Sequence, residues 1–185
     1  MSTNTLNIAV VGLGSMGMGM ARNMLDKGHR VIGVDMNPAA CDALIAAGGT
    51  IADSPKDAAA KADALVIVVV NAPQVEAVLF GEGGAIGALP KGAVVVQCAT
   101  VPAGFTKSLG ERLAQAGHPL LDAPMSGGAA RAKDGQLTIM SSGTADAYAR
   151  AEPILEAVAG KVYRLGDAPG IGSLVKTVNQ LLAGV

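Results

Sequence analysis

Residues 7–17 read NIAVVGLGSMG, and this stretch decides the fold. Ile8 to Val11 form an apolar run too short for a helix and closed by a glycine, the pattern of a strand buried on both faces. Glycines follow at positions 12, 14 and 17, while Met16, Met20 and Met24 recur every four residues, the period of a helix packed along one side. Strand, GxGxxG and helix in that order put three glycines to three uses. Gly12 makes the tight turn, Gly14 lets the main chain approach a diphosphate, and Gly17 lets the helix lie close to the strand. Leu13, Ser15 and Met16 complete the turn and the first helical residues, where free N–H groups and the positive end of the helix dipole face an anion. A GxGxxG string alone is common in turns; the strand before it and the helix after it make this one a dinucleotide site. The three methionines themselves are read as core.

Outward from there, the next run, RVIGV at 30–34, ends at Asp35, about 20 residues after the glycine turn. A carboxylate at that strand end accepts hydrogen bonds from the ribose hydroxyls of an adenosine and repels the extra phosphate of NADP. No arginine follows in DMNPAA (35–40), so the expected cofactor is NAD, with Asp35 and Met36 in its binding set. The blander alternative makes Asp35 a helix cap ahead of Asn37-Pro38.

Further short apolar runs occur at 64–70, 93–97, 119–123, 136–140 and 161–165, and helical periodicity at 15–27, 38–47, 73–80, 103–116 and 144–158. Strand alternating with helix predicts an α/β, Rossmann-type doubly wound fold: a mostly parallel sheet with helices on both faces. Residues 1–169 are expected to form one NAD-binding domain. GDAPGIG at 166–172 breaks the pattern. Beyond it, residues 170–185 read as a helix with Leu174, Val175, Val178, Leu181, Leu182 and Val185 on one stripe, and Lys176 and Asn179 on a face pointing away from it. The stripe runs uncovered to the last residue, so 170–185 is expected to be the start of a longer interdomain helix.

Composition excludes several classes. A net charge of −1 and 2% aromatic residues offer neither a basic stripe nor stacking platforms for nucleic acid. The longest apolar runs fall well short of the ~20 residues that a membrane-spanning helix needs, and the start lacks a basic leader, so a soluble, cytoplasmic protein is expected. Cys41 and Cys98 have no CxxC spacing and no histidine cluster nearby, which points away from disulfides and from a metal site. His29 and His118, each isolated ahead of a predicted strand, are read as surface or turn residues.

Four motifs then stand in order: VVGLGSMGMGMARNML (10–25); NAPQVEAVLFG (71–81) with ATV (99–101); DAPMSGGAARAKDGQLTIMSSG (122–143); and GIGSLVKTVNQLLAG (170–184). Over essentially its whole length the chain resembles the β-hydroxyacid dehydrogenase family. The resemblance implies that Val70, Asn71 and Thr100 flank the nicotinamide ribose. It also implies that Ser126, Gly127 and Gly128 receive a substrate carboxylate, that Lys176 is the catalytic acid/base and that Asn179 holds the substrate. Taken alone, Ser-Gly-Gly is more often a flexible turn and a Lys/Asn pair a solvated helix face. Asp122 is read as ordering the substrate loop. Val70, Gln97 and Ala99 depart from residues more usual in relatives. MGMG (16–19), VVNAPQ (69–74) and KVYRLGD (161–167) look most like the branch acting on the four-carbon sugar acid threonate, with 3-hydroxyisobutyrate or tartronate semialdehyde as alternative substrates. Relatives carry a second, all-helical domain that closes the cleft, and the whole protein is expected to be a homodimer or homotetramer. A domain that binds NAD without turnover is the remaining alternative, and its mark would be a missing lysine or a broken Ser-Gly-Gly.

Overall fold

Strand residues alternate between two cores, and that alternation places the helices. In the computed structural model, which describes residues 5–183, strand β1 (Asn7–Val11) turns Ile8 and Val10 to one core and Ala9 and Val11 to the other. Strands β4 (Ala64–Ile67) and β5 (Val94–Gln97) alternate likewise. With β2 (Arg30–Val34), β3 (Thr50–Ile51) and β6 (Leu120–Asp122) they form a parallel six-stranded sheet in the order β3-β2-β1-β4-β5-β6. This is the doubly wound α/β architecture expected, with the chain reversing its direction of travel between β1 and β4.

Helix α1 (Ser15–Asp26) covers one face together with α2 (Pro38–Ala46) and α7 (Ala145–Val158); α3 (Pro55–Ala59), α4 (Ala72–Phe80) and α5 (Ala103–Ala116) cover the other. Met20 and Met24 are buried in the first core as their spacing predicts, each contributing about 1.5–3 kcal/mol of burial. Short elements escape a periodicity reading: β3 has two residues and α3 five.

Two expectations need correction. The runs at 136–140 and 161–165 do not join the main sheet. They form β8 (Leu137–Ser141) and β9 (Ala159–Arg164) of a separate three-stranded sheet with β7 (Met125–Ser126), which runs antiparallel to β8 across the short helix α6 (Gly128–Lys133). A reciprocal Asp122/Ser142 main-chain pair bridges the two sheets, Asp122 N–H to Ser142 O at 3.0 Å and the reverse at 2.9 Å. Second, His29 and His118 are buried. Each ring meets a main-chain group at the lower edge of the sheet, His29 Nδ1 accepting the Leu6 N–H and His118 Nδ1 lying 3.2 Å from the Ala93 oxygen. Helix α8 (Ile171–Ala183) turns its leucine stripe outward: Leu181 and Leu182 are 68% and 74% exposed, whereas Lys176 is 6% exposed. The lysine face does point away from the stripe, but it is the face that packs on the domain. Val185 lies outside the described residues.

Candidate active site

Each glycine of the turn sits where a side chain would collide, or where space is held open. Gly12 has φ +97°, and a Cβ there would lie 2.1 Å from the Val68 carbonyl oxygen at the end of β4; one on Gly17 would lie 1.9 Å from the Gly12 oxygen. Around Gly14, in contrast, nothing lies within 4 Å of the Cβ position. Two of the glycines are thus required by close packing, and the third stands beside open space. Helix α1 starts at Gly14 with no side-chain cap and no acid in its first turn, and its first internal bond runs from Met18 N–H to Gly14 O. The N–H groups of Ser15, Met16 and Gly17 therefore have no partner within the helix, as an anion site requires. Leu13 differs. Its side chain is core, and its N–H is already engaged by Asp35.

Asp35 ties the turn together. One carboxylate oxygen accepts the Leu13 N–H at 2.6 Å and the other accepts the Asn37 N–H at 2.8 Å. The cap of α2 is Asn37, whose side chain accepts the Ala39 N–H, so the capping alternative for Asp35 falls away. A carboxylate has about four acceptor positions, which leaves two for a ligand. Met36, beside it, is fully exposed.

The other wall of the cleft comes from α8. A cavity of about 320 Å³ is bounded by Gly14, Met16, Val70, Thr100, Met125 and Lys176, with Cys98 also on its lining. Lys176 enters from a buried position, donates to Gln180 Oε1 at 2.9 Å, and pairs with no carboxylate among the described residues. Burial lowers its pKa from the ordinary 10.5, because an ammonium loses hydration there. Cys98 is inert by the same physics: burial, reinforced by the Asp122 charge, pushes its thiol up to about 12.

The remaining expected residues, Asn71, Ser126, Gly127, Gly128 and Asn179, are not on the lining of this cavity. Asn71 is exposed and caps α4, accepting the Gln74 N–H, while Gln74 Oε1 takes the Val70 N–H. Ser126 ends β7; Gly127 and Gly128 have φ of +130° and +70°, backbone shapes that favour glycine, and open α6 on the surface. Asn179 is half-buried one turn beyond Lys176. Sequence reasoning missed Gln180, whose only signal is its four-residue spacing from the lysine. Asp122, read from sequence as ordering the substrate loop, accepts the hydroxyl of Ser142 in the 122–143 motif and also engages the start of α8, through Gly170 and Ser173.

Residues 7–166 match the family described as the NAD binding domain of 6-phosphogluconate dehydrogenase. The chain belongs to this family. It is 52% identical over 179 residues to an L-threonate dehydrogenase of Cupriavidus necator, across 97% of this chain and 60% of that protein. To a 3-hydroxyisobutyrate dehydrogenase of Pseudomonas aeruginosa it is 34% identical over 179 residues, with the same coverage of 97% and 60%. It superimposes with a TM-score of 0.93 and 45% identity on a crystal structure from Salmonella typhimurium described as 3-hydroxyisobutyrate dehydrogenase, covering 96% of this chain and 62% of that one. The chain spans about 60% of the length of the curated relatives it matches. It is thus an NAD-binding domain of the β-hydroxyacid dehydrogenase kind, as its four motifs implied. Among the described residues no helix is long and apolar enough to cross a membrane, and no group of three or more metal-ligating side chains occurs.

Proposed function

We propose that the whole protein oxidises a small hydroxy acid with NAD as hydride acceptor, and that its substrate is L-threonate. One observation carries the reading: the uncapped N-terminus of α1 and the buried Lys176 face the same cavity. The branch motifs and the L-threonate dehydrogenases that the chain resembles support the choice of substrate.

The turn fits a dinucleotide, since Gly14 leaves open space beside unpaired N–H groups and Asp35 keeps acceptor positions for ribose hydroxyls. A carboxylate there disfavours an added phosphate, hence NAD over NADP. Bound NAD supplies the hydride acceptor. Lys176 supplies the proton path: in its neutral form Nζ takes the proton of the substrate hydroxyl as hydride leaves the same carbon, and in reverse the ammonium returns it. Gln180 Oε1 holds one Nζ hydrogen and so orients the nitrogen. Ser126 and the N–H groups of Gly127 and Gly128 receive the substrate carboxylate, Asn179 holds its hydroxyls, and Val70, Asn71 and Thr100 flank the nicotinamide ribose.

The test is NADH formation by the whole protein with L-threonate, D-glycerate and 3-hydroxyisobutyrate, each repeated with NADP. We expect kcat/KM to be highest for L-threonate with NAD. A higher value for either other acid would overturn the substrate, and no reduction with any of them would overturn the reaction.

A further inference from the structure

We infer that Asp122 is a positioning residue for Lys176: from the end of β6 its buried carboxylate takes the place of a helix cap at the start of α8 and sets where the lysine enters the cleft. The inference rests on the proposed role of Lys176.

A helix that begins at Gly170 has no side chain of its own to cap it, and Gly170 adopts φ +115°. Four donors nevertheless converge on one carboxylate. Asp122 Oδ2 accepts the Gly170 N–H at 3.0 Å, the Ser173 N–H at 2.8 Å and the Ser142 hydroxyl at 3.2 Å, and Oδ1 accepts the Ser173 hydroxyl at 2.7 Å. Ser142 Oγ in turn accepts the Gly172 N–H at 2.9 Å, and Thr106 Oγ1 lies 3.0 Å from Ser173 Oγ. Main-chain donors that a helix start leaves orphaned are thereby satisfied from outside the helix. A negative charge at that end also complements the helix dipole.

What this cap does follows from where it originates. A local N-cap would tie the helix only to its own loop, whereas Asp122 lies 48 residues before Gly170, on the strand beside β5. Its main chain also makes a reciprocal bridge to Ser142, between the two sheets. The start of α8 is thus registered to the sheet whose end forms the cleft floor at Cys98 and Thr100. Close packing reinforces the register, since a Cβ on Gly172 would lie 2.5 Å from the Met140 oxygen. Lys176 stands three residues beyond Ser173, about 4.5 Å of helix rise, too near for slack at the cap to be absorbed. Asp122 itself is wholly buried and is not on the cavity lining. Burial pushes its carboxyl up, and the four donors pull it back toward the ionised form that accepts them all.

The test compares Asp122→Asn and Ser173→Ala in the whole protein, with four readouts: kcat, NAD affinity, the pH profile of oxidation, and amide hydrogen exchange along residues 171–176. A carboxamide presents a donor to donors. We expect Asp122→Asn to lower kcat about 100-fold, the scale of a misplacement near 1 Å, with the NAD dissociation constant changed less than about twofold. Exchange at the start of α8 should quicken, and the rising limb of the pH profile should move up toward 10.5 as Lys176 regains water. Ser173→Ala, which keeps the carboxylate, should show the same pattern at about a tenth of the size in kcat, and it carries the test if Asp122→Asn does not fold. Unchanged kcat and exchange would overturn the inference. So would losses of kcat and NAD affinity in equal measure with an unmoved limb, which would mark general loosening. If Lys176→Ala kept turnover, the proposed function would fail, and the exchange data alone would still decide whether the cap holds.

Discussion

Helices α1 and α8 both open on a glycine and both border one cleft, α1 with its first turn and α8 with Lys176, yet their first turns are treated oppositely. At α1 no side chain caps the end, and the N–H groups of Ser15, Met16 and Gly17 have no partner within the helix. At α8 the N–H groups of Gly170, Gly172 and Ser173 are all engaged, by Asp122 and Ser142. The same electrostatic end, attractive to anions in both helices, is held open in one for a ligand's anion and filled in the other by the protein's own. An open end binds. A filled end fixes the side chain one turn further on.

That contrast can be broken at several points. The largest effect belongs to the residue that the filled end positions: Lys176→Ala should lower kcat about 1,000-fold, with NAD affinity altered less than about twofold. Retained turnover in steady-state assays would remove the lysine from the mechanism. At the open end the glycines should separate binding from folding. In Gly17→Ala the added methyl meets the Gly12 oxygen, so we expect a loss of about 3 kcal/mol of stability and a thermal midpoint about 10 °C lower. Gly14→Ala, whose Cβ position is empty, should leave the midpoint unchanged and raise the NAD dissociation constant about tenfold, readable by titration. Equal melting of the two variants would contradict this division between packing and approach. Asp35→Asn should narrow the preference for NAD over NADP by about tenfold in kcat/KM, and an unchanged ratio would count against that role.

The smallest expected effect is one of sign. Burial disfavours the ammonium, so neutral Lys176 accumulates at lower pH than an exposed lysine would. Hydroxy acid oxidation should therefore rise with pH along a limb centred below 10.5, and the reverse reduction should fall across the same window. A limb centred at or above 10.5 would remove burial as the device that tunes the base.

The glycine turn was legible because its geometry is local. Gly14 and Gly17 belong to one turn and the helix it opens, so spacing alone implied their roles, although the carbonyl that Gly12 packs against, Val68, lies 56 residues on. The parallel sheet was legible for the same reason, from short apolar runs between helical segments. The second sheet was not: the 136–140 and 161–165 runs look like any others, and their partner is the two-residue β7. Nor was the orientation of α8. Its apolar stripe marks, by ordinary amphipathic logic, the side that should be buried. Here four stripe residues are about half or more exposed, and the lysine face packs inward.

By itself, then, the sequence determined the doubly wound class and the dinucleotide turn, because those depend on neighbours within a turn or a strand. Only the tertiary structure decided which face of α8 meets the domain, that Asn37 rather than Asp35 caps α2, and that Asp122 holds the start of the lysine's helix. A donor and an acceptor 48 residues apart are joined by the strand order and by the bridge between the two sheets. No local spacing encodes that meeting.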